Sequence, residues 1–264
     1  MDDGAAETLL LTSRPSDGVA WLTLNRPAAC NALSAGLMTA LDAALMAAAA
    51  DEAVRVVVIA GAGPEFCAGH DLREVRADPS EATMRALFVQ CSALMMRIVR
   101  LGKPVIARVH GVATAAGCQL VASCDLAVAA DTARFATPGV NIGLFCSTPM
   151  VALTRAVGRK AAMEMLLTGD LLDAARACAL GLVNRVVPEA ALDAAVLGLA
   201  GQIAAKSPLT LAIGKAAFYR QAEMDLESAY AYAAEVMTRN MLTNDANEGI
   251  GAFIEKRAAV WSGT

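Results

Sequence analysis

Through residues 1–195 the chain alternates short apolar runs, each closed by a Gly or Pro signal, with longer stretches of helical periodicity, and this alternation confines it to an α/β architecture. Thr8–Thr12 and Val19–Leu24 read as strands joined through the turn Arg14-Pro15-Ser16-Asp17-Gly18. Val54–Ala60, the run from Pro104 to Val109, Ser123–Ala129 and Leu182–Val187 read as further strands. Between them, helices are expected from a Ser34 cap towards Ala50 and from Ser80 or Glu81 through Leu87, Leu94, Met95 and Ile98. Others are expected from Pro149 to a break at Gly158, over Arg159–Leu167, and over Asp173–Leu180. Gly61–Pro64 reads as a turn before order resumes near Phe66, and Arg134–Gly143 as a loop. Beyond Pro188 helical patterns dominate and strand candidates are few, so the expected organisation is an α/β core over 1–195 and a helical region over 196–264.

A chain of 264 residues buries a sizeable core without staples, and with 56% hydrophobic but only 4% aromatic residues, much of the rest Ala, it favours close helix packing. The net charge of -4 argues against broad nucleic-acid binding while leaving room for a local basic patch that receives phosphates. Seven Cys without a tight CxxC pair fit reduced core thiols, and no three-ligand metal cluster is expected. Asp2, Asp3 and Glu7 precede the first basic residue, Arg14, which is unlike a secretory or transit segment, and the apolar stretches are interrupted short of a bilayer span. A cytoplasmic location is the expectation. Neither a GxGxxG fingerprint, nor a GxxxxGK[ST] loop, nor a GxSxG elbow is present.

Four segments are informative in their order and spacing. They are Val19–Pro27 with Asn31-Ala32-Leu33; Phe66-Cys67-Ala68-Gly69-His70-Asp71-Leu72; His110–Leu120 with Cys124-Asp125; and Leu167-Thr168-Gly169 with Ala179–Val183. Together they resemble the crotonase superfamily, the enoyl-CoA hydratases and isomerases, over nearly the whole chain. The resemblance implies a spiral of ββα units, with C-terminal helices that assemble a homotrimer or a dimer of trimers. It also implies an acyl-CoA ligand, with coenzyme A part of the substrate and no permanently bound cofactor. By position, the thioester oxygen would lie between the backbone N–H groups of Ala68 and Ala116. Such a pair stabilises the charge that moves onto a thioester oxygen when a neighbouring carbon is attacked or deprotonated.

The same resemblance exposes a departure: the two Glu of a typical hydratase fall here on Gln119 and Gly139. An amide orients water but is no useful base near neutral pH, and Gly contributes no group at all. His70 is the first replacement candidate, read foremost as a hydrogen-bonding or ligand contact and secondly as a proton-transfer group. Asp71 reads as a cap, His110 as a satisfied structural His, Asp125 as a turn anchor and Cys146 as an apolar filler. Leu72 and Asn141 complete the expected ligand-binding set, with Ser147 and Thr148 close to Asn141 in sequence. Arg26 could approach the CoA phosphates or remain a surface cation, and Glu255-Lys256-Arg257 could reach a neighbouring ligand or form a charged helix face. Two functions stay open: an acyl-CoA lyase or isomerase with a nonstandard proton-transfer group, and a noncatalytic acyl-CoA binding or scaffold protein.

Overall fold

The protein is described from a computed structural model covering residues 8–264; the acidic start with Asp2, Asp3 and Glu7 lies outside that range. The chain begins with β1 (Leu10–Ser13), β2 (Val19–Leu24), α1 (Ala35–Ala50), β3 (Val56–Gly61), α2 (Leu72–Ala77) and α3 (Glu81–Arg100). It continues with β4 (Val105–Val109), β5 (Val112–Thr114), α4 (Ala116–Ser123), β6 (Leu126–Ala130) and β7 (Arg134–Ala136). Next come α5 (Pro149–Ala156), α6 (Arg159–Thr168), β8 (Leu172–Asp173), α7 (Ala174–Leu180) and β9 (Arg185–Val187). The C-terminal part holds α8 (Leu192–Ala204), α9 (Pro208–Gln221), α10 (Leu226–Met241) and α11 (Asn244–Glu255).

Six strands form one sheet in the order β1-β2-β3-β4-β6-β9, antiparallel only between β1 and β2. Successive strand residues point to opposite faces, so β3 divides its side chains between two cores. Val57 and Ile59 join Leu37, Met38, Leu41 and Leu45 of α1 and Leu94 and Ile98 of α3, whereas Val56 and Val58 join Leu192, Val196 and Ala200 of α8. Covering both faces with helices is what permits the nearly continuous apolar run of β3. Residue 195 lies inside α8, the helix packed under the sheet.

The second sheet, β5-β7-β8, determines where the functional loops lie. After β4 the chain turns at His110-Gly111 into β5, and after β6 it turns through Asp131–Ala133 into β7, which pairs parallel with β5. Each of these passes contributes one strand to each sheet before a helix or helical turn follows, which is the expected ββα spiral. Gly111 makes its corner at φ +56, where a β-carbon would stand 2.0 Å from the Pro64 carbonyl oxygen.

Local signals account for the helix ends. Ser34, Ser80, Asp71 and Asp173 each accept a backbone N–H of the first turn, capping α1, α3, α2 and α7. Lys103 Nζ closes the far end of α1 by donating to Ala48 O at 2.6 Å and Asp51 O at 2.5 Å. Helix α3 is long and apolar enough to cross a membrane by length and composition alone, and it packs Cys91, Leu94, Met95 and Ile98 into the core. Three expectations need correction. Ser123 ends α4 instead of opening a strand, the Arg134–Gly143 segment begins as β7, and β9 starts only at Arg185.

Candidate functional site

Two loops meet edge to edge. Cys67 and Ala113 form a parallel bridge in which Cys67 N–H donates to Val112 O and Thr114 N–H donates to Cys67 O, each at 3.0 Å. Thr114 Oγ1 adds a bond to the Ala68 carbonyl at 3.1 Å, and Gly117 lies so close that a β-carbon there would be 2.1 Å from Cys67 O. Contact at this distance requires glycine. Below the first loop, fully buried Asn31 donates through Nδ2 to Ala62 O at 2.8 Å and Glu65 O at 2.7 Å while its Oδ1 accepts Arg26 N–H at 2.8 Å. The Asn31-Ala32-Leu33 motif thus supports the loop that precedes Ala68.

The two amides differ in state. Ala116 is the first residue of α4, where a helix leaves its N–H groups free, and this N–H has no acceptor among the described residues. Ala68 N–H instead donates to Cys30 O at 3.0 Å. Ala115, between Thr114 and the Ala116 donor, has φ 50 and ψ -117, a conformation natural to glycine that costs an L-residue about 1–3 kcal/mol.

His70 is bridged to Leu33 and sets its ring edge-on to Phe88, with centroids 5.6 Å apart. Both ring nitrogens are shut away from solvent without a hydrogen-bond partner among the described residues. Burial holds its pKa below the ordinary value, and the Leu33 backbone opposes part of that shift without reaching hydrogen-bond geometry. Gln119 is buried on α4, its Oε1 4.0 Å from the Cys91 thiol of α3. Gly139 sits in the single helical turn Pro138–Ile142, where a β-carbon would stand 2.7 Å from Leu144 O and 2.9 Å from Cys146 Sγ. The space beside residue 139 is therefore filled by the chain itself.

Other expected residues are committed elsewhere. Arg26 turns inward, donating to Ala32 O at 2.7 Å and to Asp71 Oδ2 at 2.8 Å, with its side chain 20% exposed. Asp71 caps α2; burial would raise its pKa, but Arg26 and the amides of the first turn outweigh burial and hold it ionised below the usual range. His110 accepts from Arg108 on Nδ1 at 2.6 Å and donates from Nε2 to Gly63 O at 2.7 Å; because arginine has only donors, the proton must be on Nε2. Asn141 and Leu72 are exposed, as are Ser147 and its donor bond to Phe145 O. Thr148 precedes α5 without a side-chain cap bond. Cys146 is buried and its thiol is raised by burial, while Cys67, Cys91 and Cys118 are each pushed up to about 12, so these four stay thiols at neutral pH. Arg257 is held by Glu248 and Glu255 within its own chain.

Sequence reasoning missed several participants. Thr114 and Ala115 lie inside the His110–Leu120 segment without a role assigned to them from sequence, and Cys91 carries no signal beyond its place on the buried stripe of α3. Asp125, read as a turn anchor, accepts Val105 N–H and Lys215 Nζ, both at 2.7 Å, and Tyr219 OH at 2.9 Å, tying α9 to the sheet.

The sequence model described as enoyl-CoA hydratase/isomerase matches residues 14–264. The Mus musculus protein named enoyl-CoA hydratase domain-containing protein 3, mitochondrial, is 46% identical over 257 residues, which are 97% of this chain and 86% of that relative. An enoyl-CoA hydratase structure from Mycobacterium smegmatis superposes with a TM-score of 0.94 at 57% identity, covering 97% of this chain and 99% of that one. The human enoyl Coenzyme A hydratase domain-containing protein 3 superposes with a TM-score of 0.93 at 44% identity, covering 96% and 100%.

Proposed function

Because the chain belongs to the enoyl-CoA hydratase/isomerase family, we propose that it acts on an acyl-CoA thioester by drawing the carbonyl oxygen to the Ala116 amide, with Ala68 as second donor. The observation that carries this reading is the unpartnered Ala116 N–H, fixed at the start of α4 beside the Cys67–Ala113 bridge between the loops. For both amides to engage, the Ala68 N–H must exchange Cys30 O for the ligand oxygen. A thioester oxygen that gains negative charge is the stronger acceptor, so the exchange favours the reacting state over the ground state.

Water addition by a carboxylate pair is not the chemistry we assign, since neither Gln119 nor Gly139 supplies one. Nearby carboxylates are engaged: Asp71 with Arg26, Glu65 with Val112 N–H and Glu74 with Ala35 N–H. His70 is left as the uncommitted titratable group of the first loop. Its unsatisfied nitrogens suit a ligand hydrogen bond first, and a neutral ring is also the form that can accept a proton. Proton removal beside the thioester would leave the electron pair on the carbonyl oxygen at Ala116, and return of the proton at another carbon would complete an isomerisation.

The filled space at Gly139 favours a second reading, a noncatalytic acyl-CoA binder. Calorimetric titration with acyl-CoAs and a turnover panel of enoyl-CoAs separate the two. The expected result is saturable binding, with His70→Ala weakening binding more than turnover. Protein-dependent conversion rejects the noncatalytic reading, and failure to bind any CoA ester rejects both. We further propose assembly through the C-terminal helices as a trimer or dimer of trimers. The cytoplasmic reading draws support from the bacterial source of the structure at 57% identity, while the word mitochondrial belongs to the mouse relative's name.

A further inference from the structure

Four described non-glycine residues have positive φ: Cys30, Asn31, Ala115 and Lys256. Cys30 and Lys256 lie in the left-handed helical region with ψ 39, whereas Ala115 combines φ 50 with ψ -117, outside it. Glycine would adopt that conformation without a steric penalty, so the methyl group here needs a reason. Rotation about ψ of Ala115 swings the peptide that carries the Ala116 N–H, and the strained angle is therefore what aims that amide. Ala115 is held on both sides, its N–H on Ala136 O and its carbonyl accepting Gln119 N–H, both at 3.0 Å. Its methyl packs on Gly69 of the opposite loop. A β-carbon at Gly69, which has φ +103, would stand 2.9 Å from Ala115 Cβ and 3.3 Å from Ala116 N.

We propose that Ala115 is a positioning residue whose methyl, wedged against Gly69, fixes the gap between the two loops and holds the Ala116 N–H on the carbonyl oxygen of a bound thioester. The inference rests on the thioester reading above. It separates two properties that ordinarily move together, because the strain that aims the amide weakens the fold.

The test compares wild type, Ala115→Gly and Ala115→Ser by calorimetric titration with butyryl-CoA and with S-butyl-CoA, a thioether that lacks the carbonyl, alongside thermal melting. Ala115→Gly should melt about 2 °C or more above wild type, bind S-butyl-CoA unchanged and bind butyryl-CoA about fivefold to tenfold more weakly. Ala115→Ser keeps the β-carbon and should restore butyryl-CoA affinity. Equal weakening of both ligands in the Gly variant, unchanged butyryl-CoA affinity, a lower melting temperature or no rescue by Ser would each overturn the role of Ala115. If wild type binds neither ligand, the thioester reading itself falls, and this role with it.

Discussion

A β-carbon at residue 139 would meet the Leu144 carbonyl at 2.7 Å, and backbone at that distance cannot be relieved by a side-chain rotation. Introducing a carboxylate there is an overpacking substitution. The double change Gln119→Glu/Gly139→Glu is expected to cost about 1–3 kcal/mol by chemical denaturation and to leave crotonyl-CoA hydration undetected. Robust hydration by the double variant would show that the Leu144–Cys146 segment yields. His70 gives a second prediction at this scale. Its folded pKa lies below its unfolded value, so the unfolded chain takes up the proton first, and stability falls as pH drops from about 6.5 towards the folded value. His70→Leu removes both the titration and two unsatisfied nitrogens. Melting curves should place it above wild type at pH 7, with the gap widening below pH about 6.5; parallel curves would contradict this.

Helix α9 has no fully buried residue, yet it is fastened to the sheet by one cluster. Lys215 and Asp125 are 7% and 16% exposed, so the pair is largely desolvated, and Tyr219 OH and Val105 N–H occupy further acceptor sites on the same carboxylate. Burial lowers the Lys215 pKa more than Asp125 raises it. Removing the carboxylate leaves a buried cation without a counter-charge, and Asp125→Ala should cost about 3–5 kcal/mol in urea unfolding. Hydrogen exchange over residues 208–221 should quicken in that variant more than over α1; uniform quickening would deny α9 its separate anchor. Helix α4 presents the opposite case, with Ala116–Val121 all buried, and it is this complete burial that places Gln119 against Cys91. A helix enclosed on every side shows no apolar stripe, so the periodicity that announced α1 and α3 could not announce α4.

The last three helices and the link between α10 and α11 leave Phe218, Leu226, Tyr230, Leu242, Phe253 and Ile254 between 62% and 86% exposed, more large apolar surface than an isolated protomer ordinarily presents. Sedimentation should give a trimer or a multiple of it, and Phe253→Asp should shift the distribution towards monomer without changing the protomer's helix content; a monomeric wild type would remove the assembly proposal. The chain by itself determined the order of the main strands, the cap at Ser34 and the two loops, because alternation, capping and motif spacing are local properties of the residues. Tertiary structure decided the remainder: the second sheet, the inward turn of Arg26, the bond from Ala68 N–H to Cys30 O and the strained peptide at Ala115. Strands of two or three residues carry too little pattern to be read locally. The direction of a single N–H depends on which distant backbone packs against it, which local spacing does not encode.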